Sequence, residues 1–394
     1  MRLTSQDPVA RRRLAVLGAA ALAALVAGLL AGAGSDGQAE READEGGAAV
    51  VRGAPDGPEP RSLATARRLS LSRQVGQLVI MSFNGTGPPA YVPRALRAGR
   101  AGGVILFRAN IASRAALPGL VRRLQRGARG SAIVCTDQEG GAIRNLGWAE
   151  PTRGQPAVST PALASAAAVA AARDLRAAGV NVNLAPVADV ASVRGSVMES
   201  RAFPGRAQGV AALTAAAVRG YRGTGVAPAV KHFPGLGGAT RNTDFAAVTV
   251  TRTPQQLVAD DLPPFRAAIA AQAPLIMASH ASYPSLDGNA IASQSRYVLH
   301  RLLRERLGFR GVVVTDSLEA RAVTVRSGPG RAAVRSVRAG ADLVLTTGAG
   351  SHLRVVRALV AEAHRSPAFR RRVAESAARV LALKRALKLP APAQ

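Results

Sequence analysis

The sequence predicts an α/β protein built on a closed (β/α)8 barrel of TIM type. Three observations carry that prediction. Eight short, continuously apolar runs recur along the chain, and longer Ala/Leu/Arg stretches of helical period separate most of them. No GxGxxG follows the first run and no P-loop occurs anywhere, which weakens the rival open, doubly wound sheet. Continuous apolar strands separated by helices imply a parallel sheet buried on both faces. Eight such units in about 330 residues fit a barrel, with no sign of a second domain or a short-period repeat.

Taken in order, the chain opens on "RRRLAVLGAAALAALVAGLLAGAG". Arg11, Arg12 and Arg13 precede an apolar run of about twenty residues, long enough to span a bilayer. Acidic residues follow, so the charge bias puts the N-terminus in the cytoplasm and the remainder outside. Ala31-Gly32-Ala33 matches a signal cleavage site, and residues 1–34 read equally as a signal peptide or as a membrane anchor through 14–33. No cysteine stands nearby to carry a lipid. Residues 35–60, rich in Gly, Pro and acid, read as a flexible linker. Residues 61–390 then form the barrel. Its strand candidates are 77–83, 102–107, 131–136, 180–185, 226–232, 274–280, 311–316 and 341–347. Helices are expected at 161–178, 207–222, 254–272 and 295–307, with terminal ones near 62–74 and 367–388.

Composition narrows the function. Aromatics are 3% of the 394 residues, so the core must be Ala, Val and Leu. The formal net charge is +28, but the arginines are scattered over helical segments and not interleaved with base-stacking aromatics. Solvated helix faces explain them better than a nucleic-acid partner does. The single cysteine, Cys135, lies in the apolar run "SAIVC" and reads as a buried structural thiol.

In such a barrel reactive groups belong at the C-terminal ends of strands. The third candidate strand ends in Asp137-Gln138-Glu139, and the fourth leads to a loop with Glu199 and Arg201. The fifth ends in Lys231-His232, the sixth in His280 and the seventh in Asp316. One polar cap would mean little; five strands in register argue for a site. His232, His280 and Asp316 offer metal-ligand types, yet no HxH or HExxH spacing supports a metal, and no cofactor is expected. Carboxylates, lysine and arginine without a phosphate cradle suit a polyhydroxylated ligand gripped by charge-assisted hydrogen bonds. A carboxylate on the opposite face of a sugar ring can attack the anomeric carbon.

The segments "VGQLVI", "GGVILF", "DQEGG", "VNLAPVADV", "SRAFPG", "KHFPG", "YPSLDG" and "LGFRGVVVTDSL" together resemble glycoside hydrolase family 3, in its single-domain β-N-acetylglucosaminidase branch, over roughly residues 70 to 388. The resemblance implies hydrolysis of terminal β-linked N-acetylglucosamine, with peptidoglycan fragments as candidate substrates. It makes Asp316 the nucleophile, Asp137 a holder of sugar hydroxyls, and Arg201, Lys231 and His232 lining of the same subsite. His280 is balanced between orienting a neighbour and a structural place.

The loop "KHFPGLGGATRNTDF" departs from the family pattern. Active members carry a further histidine after "KHFPG" and then an Asp-Ser-His triplet whose histidine is the acid/base. Here Leu236, Asn242 and Asp244 stand at those three family positions, and Ala142 follows "DQEGG" where arginine is usual. Asp244 can replace the histidine if burial or the charge of Asp316 lifts its pKa; Glu199 is the second candidate. Against both stands a turn or capping role for Asn242-Thr243-Asp244. Three functions stay open: a retaining glycosidase with a non-standard acid/base, a sugar-binding module that has lost its proton donor and, a distant last, a basic nucleic-acid- or envelope-binding protein.

Overall fold

A computed structural model describes residues 57–392. The candidate signal or anchor, and the linker up to residue 56, lie outside the described residues. All eight expected strands form: β1 Val79–Met81, β2 Gly103–Ile105, β3 Ile133–Thr136, β4 Val182–Asn183, β5 Ala227–Phe233, β6 Leu275–Ala278, β7 Val312–Ser317 and β8 Leu343–Leu345. They close into a parallel barrel in chain order, the ring being completed by β1 on β8 with Val79 opposite Val344. The helices are α1 Pro60–Arg68, α2 Leu71–Gln77, α3 Tyr91–Arg97, α4 Leu117–Gly127, α5 Pro161–Ala177, α6 Ala207–Gly220, α7 Pro263–Ala270, α8 Tyr297–Arg306, α9 Pro329–Ala339, α10 Ser351–Arg365 and α11 Pro367–Ala386.

Alternation along each strand explains the closure. Ile80, Ile105, Ile133, Cys135, Val182, Ala229, Leu275, Met277, Val312, Val314, Leu343 and Leu345 share one cluster, the barrel lumen. Neighbours such as Met81, Val104, Val134, Val230, Ile276 and Val313 instead join the clusters under the helices. Both faces of every strand are therefore apolar, which is why the strands read as unbroken runs. Cys135 is a free, buried thiol. The last helix, α11, sends Val380 and Leu383 into the lumen cluster, with Leu387 just after it, and so floors the barrel.

Two expected elements changed form. The helix expected over 254–272 divides into Pro254–Gln256, a π-helical turn Leu257–Asp261 and α7. Pro263 and Pro264 supply no N–H, so the α-ladder cannot run through them. The fourth strand is shorter than 180–185: pairing stops at Asn183, the chain meets Pro186, and contact with β5 resumes as the single bridge Val187–Lys231.

Burial also catches one base. Lys384 on α11 is buried, its Nζ donating to Gln77 Oε1 at 2.7 Å. Desolvation pushes its pKa down to about 7 from 10.5. Between those values the unfolded chain holds more protons than the folded one, so stability rises with pH across that window. Lys384→Met is expected to flatten that rise, by on the order of a few kcal/mol over the window; Tm measured from pH 7 to 10 in both proteins checks it.

Candidate active site

At the C-terminal mouth of the barrel lies a cavity of about 520 Å³. Six of the side chains singled out in the sequence line it: Asp137, Arg201, Lys231, His232, Asp244 and Asp316. Two glycines shape the loops that carry them. Gly140, at φ 100°, follows Glu139, and a Cβ there would sit 2.2 Å from the carbonyl oxygen of Arg153. Gly235, at φ 133°, turns the chain after β5, and a Cβ there would meet Asp261 at 2.7 Å. Only glycine fits either position.

One wall is a network of fixed charges. Lys231 Nζ lies 2.6 Å from Asp137 Oδ1 and 2.7 Å from Glu139 Oε1. Arg201 grips Glu139 bidentately, Nε to Oε2 at 2.9 Å and Nη2 to Oε1 at 2.7 Å. Burial alone would raise the Glu139 pKa, but Lys231 and Arg201 overcome it and hold the carboxyl at about 2. Burial opposes the charge on Lys231 too, and Asp137 and Glu139 reverse that, so its pKa is raised. Glu139 thus anchors the two cations, and Asp137, about one-fifth exposed, turns an edge to the cavity.

Opposite stands His232. Its Nδ1 is 2.7 Å from Asp189 Oδ2, and Asp189 also accepts the backbone N–H of His232 at 3.2 Å and of Leu236 at 2.6 Å. A fully buried carboxylate with that many partners fixes both the ring and the start of the loop. His280 is buried behind Asp316 rather than lining the cavity. Its Nε2 is 2.9 Å from the Ser317 carbonyl, which can only accept, so Nε2 carries the hydrogen and Nδ1 accepts from Ser293 Oγ at 2.7 Å. His280 thus ties Ser293 to the backbone next to Asp316. Both ring nitrogens are engaged, and among the described residues no group of three or more His, Cys, Asp or Glu side chains is arranged to hold a metal ion.

The two carboxyls at the centre are shifted in opposite directions. Desolvation works to raise Asp316, but His232, His280, Lys231 and the Ser317 N–H, at 2.7 Å from Oδ1, outweigh it, and its pKa is lowered. Asp244 is raised, first by desolvation and then by the charge of Asp316. The loop bearing Asp244 is pinned to the segment after β7, with the Asp244 and Thr243 carbonyls accepting from Arg321 and Ala322 at 3.0 Å each. Asn242 does form a turn, its Oδ1 accepting the Asp244 N–H at 2.9 Å, so the turn holds the carboxyl at the cavity's edge. Glu199 is not brought in: its carboxylate caps its own loop at the Gly195 N–H, 2.9 Å away, and it does not line the cavity.

Sequence reasoning missed Glu139, Asp189 and Glu319. Glu319 lines the cavity and accepts from Thr347 N–H at 2.8 Å and Ser351 Oγ at 2.5 Å, tying β7's loop to β8's. For Asp189 a signal existed: a lone carboxylate inside the apolar "APVADV" needs a buried partner.

With this geometry in place, comparison with known proteins is decisive. The model of the glycosyl hydrolase family 3 N terminal domain matches residues 70–383. The chain belongs to glycosyl hydrolase family 3. An uncharacterized secreted glycosyl hydrolase of Arthroderma benhamiae is 35% identical over 299 residues, 72% of this chain and 84% of that protein. A beta-hexosaminidase of Stenotrophomonas maltophilia is 35% identical over 257 residues, 62% of this chain and 75% of the relative. Among solved structures, a family 3 beta-N-acetylglucosaminidase from Paenibacillus superposes with a TM-score of 0.77 at 36% identity. It is matched over 83% of this chain, which spans 64% of that longer protein. The beta-N-acetylhexosaminidase of Beutenbergia cavernae gives 0.73 at 34% identity, covering 80% of this chain and 98% of its own. The family 3 barrel described here is thus β-hexosaminidase-like.

Proposed function

We propose that this family 3 member is a retaining glycosidase that removes terminal β-linked N-acetylglucosamine from cell-wall fragments, with Asp316 as nucleophile and Asp244 as acid/base. The observation that carries the reading is the opposite displacement of two carboxyls on one cavity, Asp316 downward and Asp244 upward. Carboxyls whose environments push their pKa values apart divide into a base and an acid.

In the first step an Asp316 oxygen bonds to the anomeric carbon as the glycosidic C–O bond breaks, and Asp244 gives its proton to the departing oxygen. In the second step Asp244 takes a proton from water, the water oxygen bonds to the same carbon, and Asp316 is released. Asp137, Arg201, Lys231 and His232 hold the ring's hydroxyls meanwhile. The N-acetylglucosamine specificity rests on what the bacterial relatives are named for. The extracytoplasmic place, secreted or anchored through 14–33, rests on the N-terminal pattern and on the secreted fungal relative.

The test is turnover of an aryl N-acetyl-β-glucosaminide followed by NMR of the first product anomer. Release of β-N-acetylglucosamine is expected. The α anomer would refute the retaining mechanism, and measurable sugar binding without turnover on any aryl glycoside would make the chain a sugar-binding module.

A further inference from the structure

Phe245 stands apart from the other apolar side chains at the surface. It is 81% exposed, whereas the other exposed large apolar residues among those described are aliphatic and reach at most 51%. A lone exposed apolar residue ordinarily asks for no explanation. Two features set this one apart. It lines the same cavity as Asp316, Lys231 and Asp244. Its backbone is also anchored there: Thr243 and Ala246 are buried on either side of the Asp244-Phe245 pair, and the Phe245 N–H donates to the Asn242 carbonyl at 3.2 Å, so the exposed ring is presented from a tethered segment. In a chain with eight phenylalanines, four tyrosines and one tryptophan, one ring is kept out of the core and fixed at the mouth of the site.

We propose that Phe245 is the platform for a second sugar ring, the one that departs with the glycosidic oxygen. The inner wall, with Asp137, Glu139, Arg201 and Lys231, is charged and suits hydroxyls. Phe245 is apolar and flat, and suits the C–H face of a pyranose, which loses water when it lies on an aromatic ring. Its place in the chain fixes its side of the ligand. The proton donor must touch the glycosidic oxygen, and the residue next to it on the outward side meets whatever is attached to that oxygen. The cavity, at about 520 Å³, leaves room beside a single pyranose. The proposal rests on the glycosidase reading and adds to it a leaving-group subsite that prefers a sugar over a small substituent.

The experiment compares wild type, Phe245→Ala and Phe245→Trp on two substrates with the same reacting ring. One is N-acetyl-β-glucosaminyl fluoride, whose leaving group has no ring; the other is the β-1,4-linked N-acetylglucosamine disaccharide. Phe245→Ala is expected to lower kcat/KM for the disaccharide about five- to tenfold more than for the fluoride, the difference falling on KM, and Phe245→Trp to restore it. An equal loss on both substrates, or none on either, overturns the proposal. Calorimetry in an Asp316→Asn background asks the same question without turnover. There the disaccharide should bind more tightly than the monosaccharide, and the margin should vanish with Phe245→Ala. If wild type turns over neither substrate, the glycosidase reading falls, and the calorimetric margin alone decides the subsite; equal affinities would refute it.

Discussion

Asp316→Asn is expected to lower kcat on an activated aryl N-acetyl-β-glucosaminide by at least about 10³-fold, because it deletes the bond-forming atom rather than a contact. The loss should not depend on the leaving group, since no departing oxygen, however stable, can substitute for the attacking one. Wild-type enzyme treated with a slow 2-fluoro glycoside should gain the mass of one glycosyl unit on the peptide containing Asp316, and Asp316→Asn should gain none. The fold predicts little collateral damage: among the described residues the Asp316 carboxylate accepts from the Ser317 N–H, while His280 and Glu319 hold the surrounding backbone through other atoms. Label on another side chain, or retained turnover in the variant, would remove the basis for the mechanism.

The second large effect is expected at Asp244, and its signature is selective. Asp244→Asn should cost about 10²–10⁴-fold on substrates with a poor, unactivated leaving group. A dinitrophenyl glycoside, whose leaving group needs little protonation, should suffer far less in the glycosylation step. The pH profile supplies the independent check. The proposed mechanism needs Asp316 ionised and Asp244 protonated, so kcat/KM should fall below the lowered pKa of the first and above the raised pKa of the second. Asp244→Asn should erase the alkaline limb and leave the acid limb in place. A variant with an unchanged bell would assign the proton to another group of the cavity.

Most of the fold was legible because its signal is local. Each barrel strand is apolar on both faces, so runs such as "GGVILF" and "GVVVTD" declare themselves without knowledge of their neighbours. Strand ends were less legible. Where pairing stops in 180–185 depends on Pro186 and on the approach of β5. The small hairpins Gln138–Gly140 with Ile143–Arg144, and Ser282–Tyr283 with Asp287–Ile291, are too short to carry a period. The same division holds at the site. Asp137, Lys231, His232 and Asp316 could be named because each ends a strand. Glu139 could not, because its partner Arg201 is 62 residues away and only the closed ring brings them together. Asp189 likewise meets His232 across 43 residues. The sequence also named Glu199, for which nothing but position argued, and its loop carries it elsewhere.

The helix that floors the barrel, α11, follows all eight strands in the chain. Until it emerges from the ribosome the growing chain is a sleeve without a base, and water can wet its aliphatic lining. A half-made molecule of this kind has no finished interior to lock it shut. Closure of the ring and sealing of its lining are therefore separable events, the second waiting on α11.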